Sequence, residues 1–240
     1  MYEGLFDSCR SAAEELYLLI KEGLDEDFFL YEGVGAGGDR SSKIDLHAEK
    51  IYISRLSKFG MISSEESGEI GEGDLKIVLD PIDGSDNLVS GFPYFGSSVA
   101  VRREGKTIFS FIVNLANGDF FVKWEGFFKR GSLFEDEFYD VARTPAGKIG
   151  LFEKAYANPV AVSKLQKSSI KFRSPGAVAL SLGYAHYVDF VLFMGDIREY
   201  DVAAGLHQCE GLNCLVTKEA LLVSKNRKLF DIIKGTIFKG

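Results

Sequence analysis

The chain has 240 residues and 46% hydrophobic content, enough for one large domain or two small ones with a full core. A formal net charge of −7 argues against a nucleic-acid-binding surface, and an acidic protein that handles phosphate esters needs cations to offset the repulsion. Cys9, Cys209 and Cys214 lack CxxC spacing, so they read as buried small hydrophobes in a reducing compartment and not as a disulfide framework.

Leu5, Phe6, Cys9, Ala12, Ala13, Leu16, Leu19 and Ile20 recur at helical spacing, which predicts an amphipathic helix over 3–22. Glu3 and Asp7 come too early for a secretory leader, and no apolar run approaches the roughly 20 residues that span a bilayer. A cytoplasmic protein without membrane association is expected. The run from Gly33 to Gly38 formally matches GxGxxG. No apolar helical face follows it, and no acid lies at the required distance, so a mobile glycine-rich loop is expected instead of a dinucleotide site.

Ile44 to Leu56 reads as a second helix with Ile44, Ala48, Ile51 and Leu56 inward. Asp45 and Glu49 share another face, where acids are ordinarily just solvated, and His47 reads as a surface residue. A short strand over Met61-Ile62 ends in Glu65-Glu66; a Ser63/Glu66 capping box is the alternative. The apolar run Leu75 to Leu79 then predicts a buried strand that enters Asp80-Pro81-Ile82-Asp83-Gly84-Ser85. Such a cluster gathers acidic oxygens, free N–H groups and a hydroxyl at one point, which suits a hard divalent cation and a phosphate. Asp80 as helix cap with Pro81 as first helical residue is the structural alternative.

From Ser97 to Leu133 β-branched and aromatic runs alternate with the turns Glu104-Gly105-Lys106 and Asn117-Gly118-Asp119, an antiparallel meander. Residues 134–149 read as a link. Beyond it helices over 159–166 and 177–185 alternate with extended runs at 170–172 and 188–193. A helix opens at Tyr200-Asp201, strands return at 212–217 and 221–224, and a last helix covers 229–233. Asp201 at a helix start is also an ordinary first-turn acid, and His186 and His207 read as structural. Two halves, 1–135 and 136–240, are expected to form one unit.

Asp45-x-x-x-Glu49, Glu65-Glu66, Asp80-Pro81-Ile82-Asp83-Gly84-Ser85 and Tyr200-Asp201-Val202-Ala203-Ala204-Gly205, in that order, resemble the inositol monophosphatase family of magnesium-dependent, lithium-sensitive phosphatases. The short chain resembles its archaeal-type members with fructose-1,6-bisphosphatase activity. The resemblance implies a layered α-β-α-β-α sandwich, an α/β (α+β) sugar-phosphatase fold, and a homodimer. It implies two or three Mg²⁺ ions on Glu65, Asp80, Asp83, Asp201 and the carbonyl of Ile82, with Asp39 a further candidate. Ser85 and Asp45 then orient the attacking water. The N–H groups of Gly84 and Ser85 hold the phosphate, with Asp83 beside them. Arg173, Gly176, Ala177 and Val178 lie on the substrate side, and Arg198 contacts substrate or forms a salt bridge. Ser85 stands where many members have Thr, and Tyr200 where Trp is common.

The resemblance makes a Mg²⁺-dependent phosphomonoesterase the leading expectation, with inositol-1-phosphate or fructose-1,6-bisphosphate as the small-molecule phosphate ester. A nucleotidase for adenosine 3′,5′-bisphosphate, or an NADP phosphatase, would want an adenine shelf that no stretch identifies. A regulatory binding protein that kept the fold is the reading from another class, since fold alone does not settle function.

Overall fold

The apolar spacing near the N-terminus produces the helix it predicts. In the computed structural model, which describes residues 1–141 and 147–238, α1 (Tyr2–Glu22) buries Leu5, Phe6, Cys9, Ala12, Ala13 and Leu16 on one face. A hairpin of β1 (Tyr31–Val34) and β2 (Arg40–Ser42) leads into α2 (Lys43–Leu56). Ser42 and Asp45 form a capping box at its start: the Ser42 backbone N–H donates to Asp45 Oδ2 at 2.8 Å, and the Ser42 hydroxyl donates to the same oxygen at 2.7 Å. Such caps stabilise a helix start by about 1 kcal/mol.

The first sheet has eight strands in the order β10-β9-β8-β7-β6-β5-β3-β4. In chain order these are β3 (Met61–Ser64), β4 (Gly68–Ile70), β5 (Lys76–Asp83), β6 (Gly96–Arg103), β7 (Lys106–Asn114), β8 (Asp119–Trp124), β9 (Phe127–Ser132) and β10 (Tyr139–Asp140). The predicted meander is β6 to β9. Between β5 and β6 lies the short helix α3 (Ser85–Val89). Strand alternation divides the sheet's residues. Ile77, Leu79, Val99, Val101, Phe109 and Phe111 pack against α1 and α2, while Val78, Ala100 and Ile112 face the opposite layer.

The second half contributes β11 (Gly150–Glu153), α4 (Pro159–Lys167), β12 (Phe172–Arg173), α5 (Val178–Gly183), β13 (Val191–Met194), α6 (Glu199–Gln208), β14 (Asn213–Val216), β15 (Ala220–Ser224) and α7 (Arg227–Ile237). Its five-stranded sheet runs β12-β11-β13-β15-β14. Helices α5 and α6 pack between the two sheets, and α4 and α7 cover the outer face of the second. The expected α-β-α-β-α sandwich is therefore present. Close packing of its middle layer depends on Gly205: a Cβ there would lie 2.3 Å from the Leu182 Cβ, so any side chain would push α6 off α5. Helix α6 carries Asp201 in its first turn, so this contact also sets where that carboxylate sits.

Several local expectations are corrected. Strand β5 continues through Asp83, and α3 starts only at Ser85, so Asp80 does not cap a helix beginning at Pro81. No helix follows Ser63; β4 does, and the Glu66 carboxylate bonds the Ser41 hydroxyl. Asp45 and Glu49 are buried and not solvated, because serine donors wait for them: Ser42 for Asp45, and Ser67, through its N–H and hydroxyl, for Glu49. The glycine-rich segment is a docked hairpin tip. Its Ala36 and Gly37 N–H groups donate to the Glu66 and Glu65 carbonyls at 2.9 and 2.7 Å. Cys9 and Cys209 are buried as expected, but Cys214 is exposed. The expected link over 134–149 falls partly on residues 142–146, outside the described residues, and β10 occupies part of the rest.

Candidate active site

The ends of β3 and β5 and the starts of α2, α3 and α6 meet at one cavity of about 620 Å³. Strand β5 delivers Asp80 and Asp83, the turn after β3 delivers Glu65, and α6 delivers Asp201. Glu65, Asp80 and Asp201 each offer an oxygen, and these oxygens lie within 4.8 Å of one another. Asp80 is almost fully buried, and its Oδ1 has no hydrogen-bond partner among the described residues. Asp83 Oδ2 accepts the Leu180 N–H at 2.7 Å.

Burial, then the neighbouring Glu65, Asp83 and Asp201, pushes the Asp80 carboxyl well above the usual carboxylate range. Burial also raises Asp83, against the opposing Leu180 hydrogen bond and with Asp201 adding to it. Packing several carboxylates together out of water is costly unless a cation compensates. The donor set is hard, oxygen-only, convergent and left with an unpartnered buried oxygen. It fits a divalent cation such as Mg²⁺.

Glu65 gives this a pH signature. Burial, offset in part by Arg198 and reinforced by Asp201 and Glu66, pushes its carboxyl up to about 7. An unfolded glutamate titrates near about 4.3. Between these values the folded chain holds a proton that the unfolded chain has released, so in chelator stability should fall as pH rises from about 4.3 to about 7. Divalent-cation affinity should move the other way, weakening roughly fivefold from pH 7 to pH 6 because the cation competes with that proton. Melting curves in chelator and calorimetric Mg²⁺ titrations across this range check both; a flat Mg²⁺ affinity from pH 6 to 8 would remove Glu65 from the set of ligands.

Ser85 Oγ lies 2.8 Å from Asp45 Oδ1 and 3.0 Å from the Ile82 carbonyl. Asp45 is thus held by its capping box on one oxygen and meets Ser85 with the other. Gly84 adopts φ +91°, and a Cβ there would sit 3.1 Å from the Ala177 Cβ and 3.3 Å from the Gly176 carbonyl oxygen. Only glycine allows this turn beside that segment. Ile82, Gly84, Gly176 and Val178 line the cavity, with Ala177 buried against Gly84. Arg173 does not line it; its guanidinium donates to the Phe172 carbonyl.

Arg198 is drawn into the acid cluster. Its Nη1 pairs with Glu65 at 2.8 Å and with Asp39 at 2.7 Å, and its Nη2 donates to Asp201 Oδ1 at 2.8 Å. It also donates to the Gly37 carbonyl at 3.2 Å, so it ties the hairpin tip to α6. The exposed Asp39 takes its place in the site through this pairing, while Lys43 pairs with Glu32.

Two acids were given no site role from the sequence, although Glu66 was noted there beside Glu65. Glu66 lines the cavity. Glu153, buried at the end of β11, accepts the Gly176 N–H at 2.8 Å and the Ser181 hydroxyl at 2.5 Å, so it holds the cavity wall. Its signal was available: a short apolar run ending in a carboxylate, the same pattern as Glu65. His186 and His207 are structural as expected, bonded to the Gln208 carbonyl and to Ser110.

Comparison with known proteins agrees with this geometry. The profile of the inositol monophosphatase family matches residues 5–220. A fructose-1,6-bisphosphatase of Pyrococcus furiosus is 31% identical over 209 residues, covering 83% of this chain and 75% of its own. The Nus factor SuhB of Escherichia coli is 32% identical over 183 residues, covering 70% of this chain and 67% of its own. The solved structure of an inositol monophosphatase–fructose 1,6-bisphosphatase superposes with a TM-score of 0.79 at 20% identity, over 96% of this chain and 98% of that one, and so shares the fold. With the family match spanning most of the chain and the acid cluster in place, the chain belongs to the inositol monophosphatase family and is a metal-dependent phosphomonoesterase.

Proposed function

We propose that this chain hydrolyses inositol-1-phosphate, fructose-1,6-bisphosphate or both, with two to three Mg²⁺ ions, in the cytoplasm and as a homodimer. The observation that carries the reading is the Ser85–Asp45 pair facing the Glu65, Asp80 and Asp201 carboxylates across one cavity. The names of the Pyrococcus furiosus relative and of the superposed structure support the substrate class.

Bound cations would neutralise the phosphate dianion, lower the pKa of water and stabilise the leaving alkoxide. Glu65, Asp80, Asp83, Asp201 and the Ile82 carbonyl are assigned to hold them. Asp45 accepts the Ser85 proton, which leaves a Ser85 lone pair to receive a hydrogen bond from the attacking water. That water's oxygen forms the new bond to phosphorus as the bond from phosphorus to the ester oxygen breaks, and the one proton the water gives up balances the one the departing ester oxygen takes. The Gly84 and Ser85 N–H groups hold the phosphate oxygens beside Asp83. Gly176, Ala177, Val178 and Arg198 are assigned to the substrate side, whereas Arg173, which lies outside the cavity lining, is not.

The test is phosphate release from a panel of inositol-1-phosphate, fructose-1,6-bisphosphate and adenosine 3′,5′-bisphosphate. Release should require Mg²⁺ and vanish with chelator. Release that survives chelation would overturn the mechanism, and preference for the adenosine ester would move the substrate class to a nucleotidase. The likeness to a Nus factor keeps a binding role as a second reading; a properly folded chain with no metal-dependent release from any ester would favour it.

A further inference from the structure

Arg40, Lys154 and Arg198, from three separate segments of the chain, line the cavity. Arg198 is committed to Asp39, Glu65 and Asp201, and Arg40 stacks over the Tyr31 ring at 4.0 Å. Lys154 forms no ion pair with a carboxylate among the described residues. Its ammonium sits 5.4 Å from the centroid of Phe193, which also lines the cavity, and its stem passes beside Gly195.

The backbone holds Lys154 in an unusual way. It takes φ +55°, a left-handed conformation uncommon for a residue with a side chain. The residues on either side of it are tied to one segment: Glu153 accepts the Gly176 N–H, and the Ala155 N–H donates to the Ser174 hydroxyl at 3.3 Å. Gly176 in turn abuts Gly84, where the reacting phosphate is assigned. A strained residue held at both flanks, with an uncommitted charge facing a cavity, is a functional signal.

We propose that Lys154 anchors a second anionic group of the substrate, a phosphate remote from the one hydrolysed, and so gives the site its preference for a bisphosphate. This rests on the phosphomonoesterase reading above. The acidic floor of the cavity repels any further anion, so a distal phosphate needs a cation on the wall. The anchor makes the same contact in the bound and transition states, so its effect falls on KM more than on kcat.

The experiment compares fructose-1,6-bisphosphate with fructose-1-phosphate, which keeps the alcohol and lacks the distal phosphate. Lys154→Gly removes the charge and accepts the left-handed backbone, so folding is protected. Its ratio of kcat/KM between the two esters should shrink roughly 10-fold or more, the size of a charge-assisted hydrogen bond, and Lys154→Arg should restore it. An unchanged ratio in Lys154→Gly would overturn the anchor. Calorimetric binding of the same two esters needs no turnover and decides separately: loss of the affinity difference in Lys154→Gly supports the anchor, and its persistence refutes it. Absence of phosphate release by the wild type would instead count against the phosphomonoesterase reading.

Discussion

Replacing Asp83 by asparagine should lower phosphate release at least about 100-fold, since changing even the residues that orient metal ligands costs 10–100-fold. Asp83 is buried at the end of β5 and lines the cavity. Its structural bond survives the change: the asparagine carbonyl oxygen can still accept the Leu180 N–H now held by Asp83 Oδ2. What is lost is a negative charge that burial and Asp201 already make costly. The variant should therefore melt in chelator at or above the wild-type temperature while its Mg²⁺-induced rise in melting temperature shrinks. Wild-type turnover in Asp83→Asn would remove it from the metal site; a collapsed fold would show that the asparagine does not keep the bond to Leu180.

Ser85→Ala should lower kcat by roughly 10²–10⁴-fold, the range for a group that positions or moves a proton in the transition state, with a smaller change in KM. The Ser85 hydroxyl lies 2.8 Å from Asp45 Oδ1, so alanine removes the contact and leaves Asp45 in place. Asp45→Asn should resemble it. A single amide oxygen cannot serve Ser85 and also the Ser42 N–H and hydroxyl, which now share Asp45 Oδ2. That variant should also lose about 1 kcal/mol of stability from its cap. The double variant should cost little more than either single change if the pair acts as a unit. Additive losses would separate the two residues into independent roles, and an unchanged kcat in Ser85→Ala would leave the hydroxyl a mere turn residue.

The middle layer explains how a site assembled from distant segments stays in register. Asp201 starts α6, and the Gly205–Leu182 approach holds that helix on α5. Helix α5 supplies the Leu180 N–H to Asp83, and Glu153 fixes the segment before α5 through Gly176. Behind the site Lys76 and Arg102 both pair with Glu199 in the first turn of α6, a link between that helix and the first sheet. These half-exposed pairs add little stability by themselves, but they bear on the element that carries Asp201.

Local pattern determined much of this protein. Helical spacing placed α1 and α2, alternation with turn residues placed the meander, and the Asp80 to Ser85 run pointed to cation and phosphate chemistry, because these signals repeat within a few residues and depend on backbone geometry. Tertiary structure decided the rest. The extension of β5 through Asp83 comes from its pairing with β6, where Asp83 faces Gly96, and no local signal announces that partner. Asp45 is buried with one oxygen on the local Ser42 and the other on the distant Ser85, and the burial of Glu49 rests on the distant Ser67. Docking of the glycine hairpin rests on carbonyls of Glu65 and Glu66, about 30 residues away by the numbering. Arg198 could be read as substrate contact or salt bridge until the fold set it among three carboxylates. A sequence states which groups are present and their local geometry; which charges share a low-dielectric space, and so which need a counter-ion, is decided only when distant elements pack.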